Sequence, residues 1–264
     1  MIYDTKKIFK YNSQTIDMNV YEYIQGKRKS GPLHFVLIDP DKQEPEKAAE
    51  LAARAKEYGS DAIMIGGSNP MHLMFLDRTI ENIKKRCDLP VILFPSSHSA
   101  LSKRADALFF MSLLNSRSTQ YLIGEQMRGS VLVKQYGLEP LSMAYLIVES
   151  GTITSAAWSG DVKPIPREKP SFAAAYALAA KYFGMRFVYL EAGSGAEKTV
   201  PNKMVGMVKK AVGDTMVIVG GGIRDAKTAK EKVAAGADII VTGKIAEDDT
   251  EKLKRIIQVI KNKD

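Results

Sequence analysis

Met216-Val-Ile-Val-Gly-Gly-Gly-Ile-Arg224, followed by an amphipathic stretch from Ala226 to Ala235 and then by Ile239-Ile-Val-Thr242, is the segment that decides the fold. An apolar run ending in glycines, a helical period and a second apolar run make a β-α-β unit, which sets its two strands parallel. Unbroken valine and isoleucine, rather than an apolar-polar alternation, suits a strand covered on both faces. The same unit recurs along the chain. Strands are predicted at Leu33–Ile38, Ala62–Gly66, Val91–Phe94, Ala107–Met111, Ala144–Val148, Phe187–Leu190, Met216–Val219 and Ile239–Thr242, which makes eight. Helices are predicted at Glu44–Tyr58, Pro70–Arg86, Ser171–Tyr182, Pro201–Ala211, Ala226–Ala235 and Thr250–Lys261.

The repeat is damaged in two places. Between Phe94 and Ala107 there is room for about one or two helical turns, so the third helix is expected to be short or replaced by loop. Asn115 to Tyr136 is long enough for an extended or divided helix, and Gly151 to Pro170, rich in Gly, Pro and Ser, reads as a long loop on the active-site side. An extra amphipathic segment, Ile16–Lys27, is expected to cover the barrel's bottom. Eight units and phosphate-type loops after the last strands favour a (β/α)8 TIM barrel with a modified or missing third helix over an open doubly wound sheet. The length of 264 residues fits one such domain, 1–264, since these barrels run to roughly 250 residues.

The totals narrow the function. Hydrophobic residues at 45% and charged residues at 26% argue against a disordered or fibrous chain. The lone Cys87 has no partner for an intrachain disulfide, no apolar run is long enough to span a bilayer, and the first ten residues lack a signal-type apolar core; a cytoplasmic location is the default. The net charge of +8 is spread along helical faces without a basic tract interleaved with aromatics, so no nucleic-acid partner is expected.

Three stretches gather on the carboxyl side of the late strands: Tyr189-Leu190-Glu191-Ala192-Gly193-Ser194-Gly195, Gly220-Gly221-Gly222-Ile223-Arg224 and Thr242-Gly243-Lys244. Glycines let backbone N–H groups approach an anion and a following helix adds its positive end, so the three loops read together as a phosphate site. Taken singly, each loop serves equally well as a tight turn. Arg224 and Lys244 either steer the anion or are simply solvated. Glu191, beside the phosphate loop, is placed to take a proton from an alcohol of the bound substrate, or to pair with a cation across the rim.

The first strand runs into Leu37-Ile-Asp39-Pro-Asp41-Lys42, and the second into Ile65-Gly-Gly-Ser68. Asp39 and Ser68, on adjacent strands, suit Mg²⁺, a hard cation held through one or two carboxylates plus substrate oxygens. The plainer reading has Asp41 capping the next helix and Asp39 satisfying loop N–H groups. His34, His72 and His98 share no metal-ligand spacing, and Cys87 has no nearby His, so these are read as structural. Trp158 and the many Met and Tyr residues line an apolar groove or are plain core.

In this order, the motifs around Asp39, Ser68, Trp158 with Lys163-Pro-Ile-Pro-Arg167, Tyr189–Gly195, Gly220–Arg224 and Thr242-Gly243 resemble the geranylgeranylglyceryl phosphate synthase family, which includes the PcrB-type heptaprenylglyceryl phosphate synthases. The resemblance covers nearly the whole chain. It implies a TIM barrel that transfers a prenyl chain from geranylgeranyl pyrophosphate to the 3-hydroxyl of sn-glycerol 1-phosphate, releasing pyrophosphate. By the same resemblance Asp39 and Ser68 hold Mg²⁺. Tyr189, Leu190, Glu191, Ala192, Gly193, Ser194, Gly195, Gly220, Gly221, Thr242 and Gly243 form the glycerol-phosphate site, with Glu191 and Asp39 catalytic. A homo-oligomer is implied as well, and the lipid product together with the positive charge points to peripheral membrane contact. Some members carry a basic residue where this chain has Leu37, so here other groups must meet the phosphate charge; Leu37 and the longer loops resemble the second, larger group of the family. The alternatives are another phosphate-binding barrel enzyme (isomerase, aldolase or synthase) and a silent phosphate- or lipid-binding barrel.

Overall fold

The computed structural model describes residues 19–66, 73–151 and 153–262. Eight parallel strands close on themselves in chain order: β1 (Leu33–Ile38), β2 (Ala62–Gly66), β3 (Val91–Phe94), β4 (Ala107–Leu113), β5 (Glu139–Ile147), β6 (Phe187–Glu191), β7 (Met216–Gly220) and β8 (Ile239–Thr242), with β8 hydrogen-bonded to β1. Because strand residues alternate, Phe35, Met64, Phe109, Met143, Phe187 and Ile218 fill the barrel. Their neighbours Val36, Ile63, Leu108, Ala144, Val188 and Val217 pack under the helices. Burial of both sets explains why the strands read as continuous apolar runs.

The outer helices are α2 (Pro45–Tyr58), α3 (Leu73–Arg86), α4 (Glu125–Tyr136), α6 (Pro170–Tyr182), α7 (Asn202–Val212), α8 (Ala226–Ala234) and α10 (Thr250–Ile260). Two short helices, α5 (Ser155–Ser159) and α9 (Lys244–Asp248), sit in the loops after β5 and β8. The third helix is missing: residues 95–106 hold only bends and turns. The Asn115–Tyr136 segment is divided, with a π-turn at Gln120–Gly124 running into α4. The predicted start of the second long helix at Pro70 lies outside the described residues.

Strand β5 begins five residues earlier than its sequence suggested, at Glu139 rather than Ala144. Pro140 and Ser142 disguised it, yet the alternation they belong to points Leu141 and Met143 into the barrel. Glu139 also secures the floor. Its carboxylate accepts from the N–H groups of Val20 (2.6 Å) and Tyr21 (3.1 Å), the first residues of α1 (Val20–Arg28). Val20 and Ile24 then plug the bottom of the barrel, as expected of this segment.

Three Asp residues just before strands tie the bottom rim. Asp61, Asp106 and Asp238 accept the N–H of His34, Val91 and Val217 at 2.8–2.9 Å, and each is paired to a lysine, Lys261, Lys84 and Lys209 respectively. A charge-assisted bond of this kind contributes about 1.5–3 kcal/mol. The structural carboxylates are therefore at one end of the barrel, leaving the other end open.

Candidate active site

At the carboxyl ends of the strands the mouth opens into a cavity of about 430 Å³. Its late-strand side is made by the loops after β6, β7 and β8. Gly193, Gly195, Gly221 and Gly222 all have positive φ (104°, 71°, 83° and 72°), the conformation with which successive N–H groups form an anion-holding concavity. Close approach matters as much as φ. A Cβ on Gly221 would lie 2.4 Å from Glu191 Oε1 and 2.6 Å from the Gly193 nitrogen; one on Gly220 would fall 2.9 Å from Glu191 Oε2 and on top of the Tyr189 hydroxyl. Two glycines thus vacate the space that Glu191 and Tyr189 occupy.

Glu191 is buried at the end of β6. Its Oε1 accepts from the Gly193 N–H, and the Tyr189 hydroxyl donates to the same carboxylate. Burial raises its pKa and those two donors restrain the rise. Among the described residues no lysine or arginine pairs with it, so the ion-pair reading of Glu191 is not met. Tyr145 and Tyr189 are held well above the usual tyrosine range, first by burial and then by the Glu191 charge, and stay protonated. Their rings, 5.2 Å apart, meet Phe94 at 5.3 and 5.8 Å and floor the cavity.

The sequence-predicted residues divide by strand alternation. Tyr189, Glu191, Gly193, Ser194, Gly195, Gly221, Thr242 and Gly243 line the cavity. Leu190 and Ala192 do not: their side chains belong to the core between sheet and helices, as alternation about Tyr189 and Glu191 requires. Gly220 contributes space rather than surface. Thr242 spends its hydroxyl on His34 Nε2 at 2.9 Å, and His34 Nδ1 meets Ser60 Oγ at 2.6 Å. Burial, with Lys261 second, drives His34 down to about 3, so the structural reading of this histidine holds. Arg224 neither steers an anion with its Nη2 nor is merely solvated; that nitrogen donates to the carbonyls of Gly195 (2.7 Å) and Ala196 (2.9 Å), stapling the β6 loop to the β7 loop.

Across the mouth, Asp39 follows β1. Its Oδ2 takes Lys42 Nζ at 2.7 Å, while Oδ1 is buried with no hydrogen-bond partner. Glu247 of α9 accepts the Asp39 N–H, and its pKa is raised by burial and by the neighbouring Asp39 and Asp248 charges. An unpartnered carboxylate oxygen fits a cation ligand, and the companion expectation, Ser68, lies outside the described residues. No group of three potential metal ligands occurs among the described residues. Asp41 does not cap the next helix: it sits exposed in a 3-10 turn, and α2 starts after Glu44 with Pro45 in its first turn.

The third side of the cavity was not legible in the sequence. Leu101, Leu108, Phe110, Gly129 and Val133 carry it past the barrel rim, into the gap that the missing helix leaves beside α4. His98 and Glu125 latch this gap: Glu125 Oε2 accepts from the His98 N–H (2.8 Å) and ring (2.7 Å). Although burial opposes it, those bonds and one from Gln120 hold Glu125 down to about 2. Asn115 and Ser116 are also new. Asn115 donates to the carbonyls of Ile147 and Lys163, and Ser116 to that of Gly160, fastening the long 151–169 loop over the mouth. Trp158, on that loop, is 78% exposed, neither core nor groove lining.

A closed barrel of eight parallel strands with its cavity at their carboxyl ends places the protein among the (β/α)8 TIM barrels. Within that class the chain belongs to the PcrB family, whose sequence profile matches residues 23–262. It is 56% identical over 224 residues to the geranylgeranylglyceryl phosphate synthase of Thermococcus kodakarensis, covering 85% of this chain and 88% of that protein. The Methanosarcina acetivorans geranylgeranylglyceryl phosphate synthase is 53% identical over 237 residues, 89% of this chain and 95% of that one. In three dimensions the chain is similar to (S)-3-O-geranylgeranylglyceryl phosphate synthase from Thermoplasma acidophilum in complex with sn-glycerol-1-phosphate, with a TM-score of 0.89, 42% identity and coverage of 93% of this chain and 99% of that one.

Proposed function

We propose that the protein is a prenyltransferase that joins geranylgeranyl pyrophosphate to the 3-hydroxyl of sn-glycerol 1-phosphate, giving geranylgeranylglyceryl phosphate and pyrophosphate. The observation that carries this reading is the two-sided cavity. One side is a glycine cradle around a buried carboxylate, the other an apolar channel through the gap of the missing helix. A phosphate ester and a long hydrocarbon chain together match those two surfaces, whereas a sugar phosphate alone leaves the channel without a purpose. The activity in the names of the relatives supports the same substrates.

In this reading the β6, β7 and β8 loops hold the phosphate of the acceptor through their N–H groups. Fixing the acceptor turns an encounter into an oriented pair. Glu191, its basicity raised by burial and its oxygens aimed by Tyr189 and Gly193, takes the proton of the attacking hydroxyl. The bond from prenyl C1 to the pyrophosphate oxygen breaks with its electron pair leaving on pyrophosphate, and the new C1–O bond forms. Asp39, whose Oδ1 is buried without a partner, and Ser68 would hold Mg²⁺. When bound, that ion neutralises charge developing on the leaving pyrophosphate.

Purified protein given Mg²⁺, geranylgeranyl pyrophosphate and, separately, each enantiomer of glycerol phosphate is expected to make product from the sn-1 form alone. Turnover of a sugar phosphate without any prenyl donor would move the assignment to another class of barrel enzyme. The protein works in the cytoplasm as a homo-oligomer, which light scattering checks; no helix among the described residues is long and apolar enough to cross a membrane. Exposed Ile123, Met127 and Ile153, on segments bordering the mouth, support peripheral contact with the membrane that receives the product, and liposome flotation tests it.

A further inference from the structure

Charge is unevenly distributed around the cavity. The acceptor side holds its anion on backbone N–H groups, which cost nothing in side-chain ordering. The Asp39 corner is built the opposite way: Asp39, Asp41 and Glu247 bring three carboxylates around a single ammonium, Lys42. In the prenyltransferase reading the donor's pyrophosphate, with its several negative charges, binds at this corner, since the glycine cradle is occupied by the acceptor and the corner lines the same cavity. Four basic side chains line the cavity among the described residues: Lys42, His98, Arg224 and Lys244. Arg224 is committed to the Gly195 and Ala196 carbonyls, and His98 is tied to Glu125. Lys244 stands exposed on the β8 loop beside the glycine cradle. Of the four, Lys42 is the one bonded to Asp39.

Its present partner makes Lys42 movable. The bond to Asp39 Oδ2 is one contact, across one turn of 3-10 backbone, from a side chain that is 53% exposed. Lysine presents a point charge on four rotatable carbons, so the ammonium can swing by several ångströms while its backbone stays still. Leu37 lies inside the rim against Gly243, so no cation reaches the corner from within β1.

We propose that Lys42 is a pyrophosphate-binding residue, held in readiness on Asp39 and transferred to the prenyl donor's pyrophosphate when a divalent cation takes over the Asp39 carboxylate. This rests on the prenyltransferase reading given above. Before the donor arrives, Lys42 at Oδ2 and a divalent cation at Oδ1 draw on the charge of one carboxylate and repel each other, so each weakens the other's hold; on the pyrophosphate they act together. The ammonium thereby helps neutralise the charge that develops on the pyrophosphate oxygen as it takes the C1–O electron pair, while Glu191 takes the acceptor's proton.

The test uses the whole protein and its Lys42→Met and Lys42→Arg variants, with thermal melts to establish folding. Titration calorimetry with inorganic pyrophosphate in saturating Mg²⁺ is expected to show binding about 10- to 100-fold weaker in Lys42→Met, the loss of one charge-assisted bond, and largely recovered in Lys42→Arg. The KM for geranylgeranyl pyrophosphate rises in parallel, and that for sn-glycerol 1-phosphate does not. Mg²⁺ titrated alone binds more tightly to Lys42→Met, since the competing ammonium is gone; weaker Mg²⁺ binding would mean that Lys42 merely orients Asp39 and would overturn the proposal. So would unchanged pyrophosphate affinity, or equal losses for both substrates. Failure of the wild-type protein to form product from any prenyl donor would instead remove the underlying reading.

Discussion

Gly221→Ala isolates what the glycine cradle does. The added methyl faces two separable penalties. The first is conformational: at φ 83° an L-residue costs about 1–2 kcal/mol. The second is contact: the Cβ would stand 2.4 Å from Glu191 Oε1 and 2.6–2.8 Å from the nitrogens of Gly193 and Ala192, distances at which something must move. Those nitrogens belong to strand-end backbone, so the Glu191 carboxylate gives way. Its bond from the Gly193 N–H is then lost, at a cost of about 1.5–3 kcal/mol for a charged acceptor. Displacing a reacting group by about 1 Å costs on the order of 100-fold in rate. The matched control is Gly184→Ala, on the turn that enters β6, the strand of Glu191, from below: its φ is 75° but nothing lies within 4 Å of the new Cβ. Both variants should lose about 2–4 °C in Tm for each kcal/mol of strain. Only Gly221→Ala should also lose about 100-fold in kcat/KM for sn-glycerol 1-phosphate. Equal activity in the two variants, assayed with saturating prenyl donor, would refute the claim that the cradle exists to seat Glu191.

Three further outcomes follow from the same geometry. Glu191→Gln and Asp39→Asn each remove most turnover while far-UV circular dichroism and Tm report an intact barrel; normal turnover in both variants would sink the assignment. Because Glu191 must be ionised to accept a proton and burial raises its pKa, kcat/KM for the acceptor falls on acidification with a midpoint above the ordinary glutamate range, which a pH-rate profile measures. Glu125 is shifted the other way, from 4.5 to about 2, so its contribution to stability is complete above the unfolded value and disappears as pH falls through the folded one; the Tm gap between wild type and Glu125→Gln should close between pH 5 and pH 2.

The strand pattern was legible because parallel strands buried on both faces must be continuously apolar, and four of the eight strands were read to the residue at both ends: Leu33–Ile38, Ala62–Gly66, Val91–Phe94 and Ile239–Thr242. The start of β5 was hidden because Pro140 and Ser142 face outward at the bottom edge. Glycine spacing located the loops after β6, β7 and β8, but a run such as Tyr189–Gly195 cannot announce which of its members look inward. Strand alternation, acting within the closed barrel, admitted Tyr189 and Glu191 to the cavity and sent Leu190 and Ala192 to the helices.

The sequence by itself determined the barrel, its missing helix and the two ends of the mouth, since each depends on local periodicity or on residue types that suit only a few backbone conformations. Tertiary structure decided the rest. The commitment of Arg224 to carbonyls 28 and 29 residues away and the channel between the 95–106 loop and α4 arise when a parallel barrel closes and brings distant loop ends to one rim, while the bond between Glu191 and Tyr189 and the Lys42 contact with Asp39 are local contacts whose geometry the folded strand end and 3-10 turn set. The glycine loops that first marked the fold prove to be shaped around a carboxylate as much as around an anion, and only packing at ångström range distinguishes those two uses.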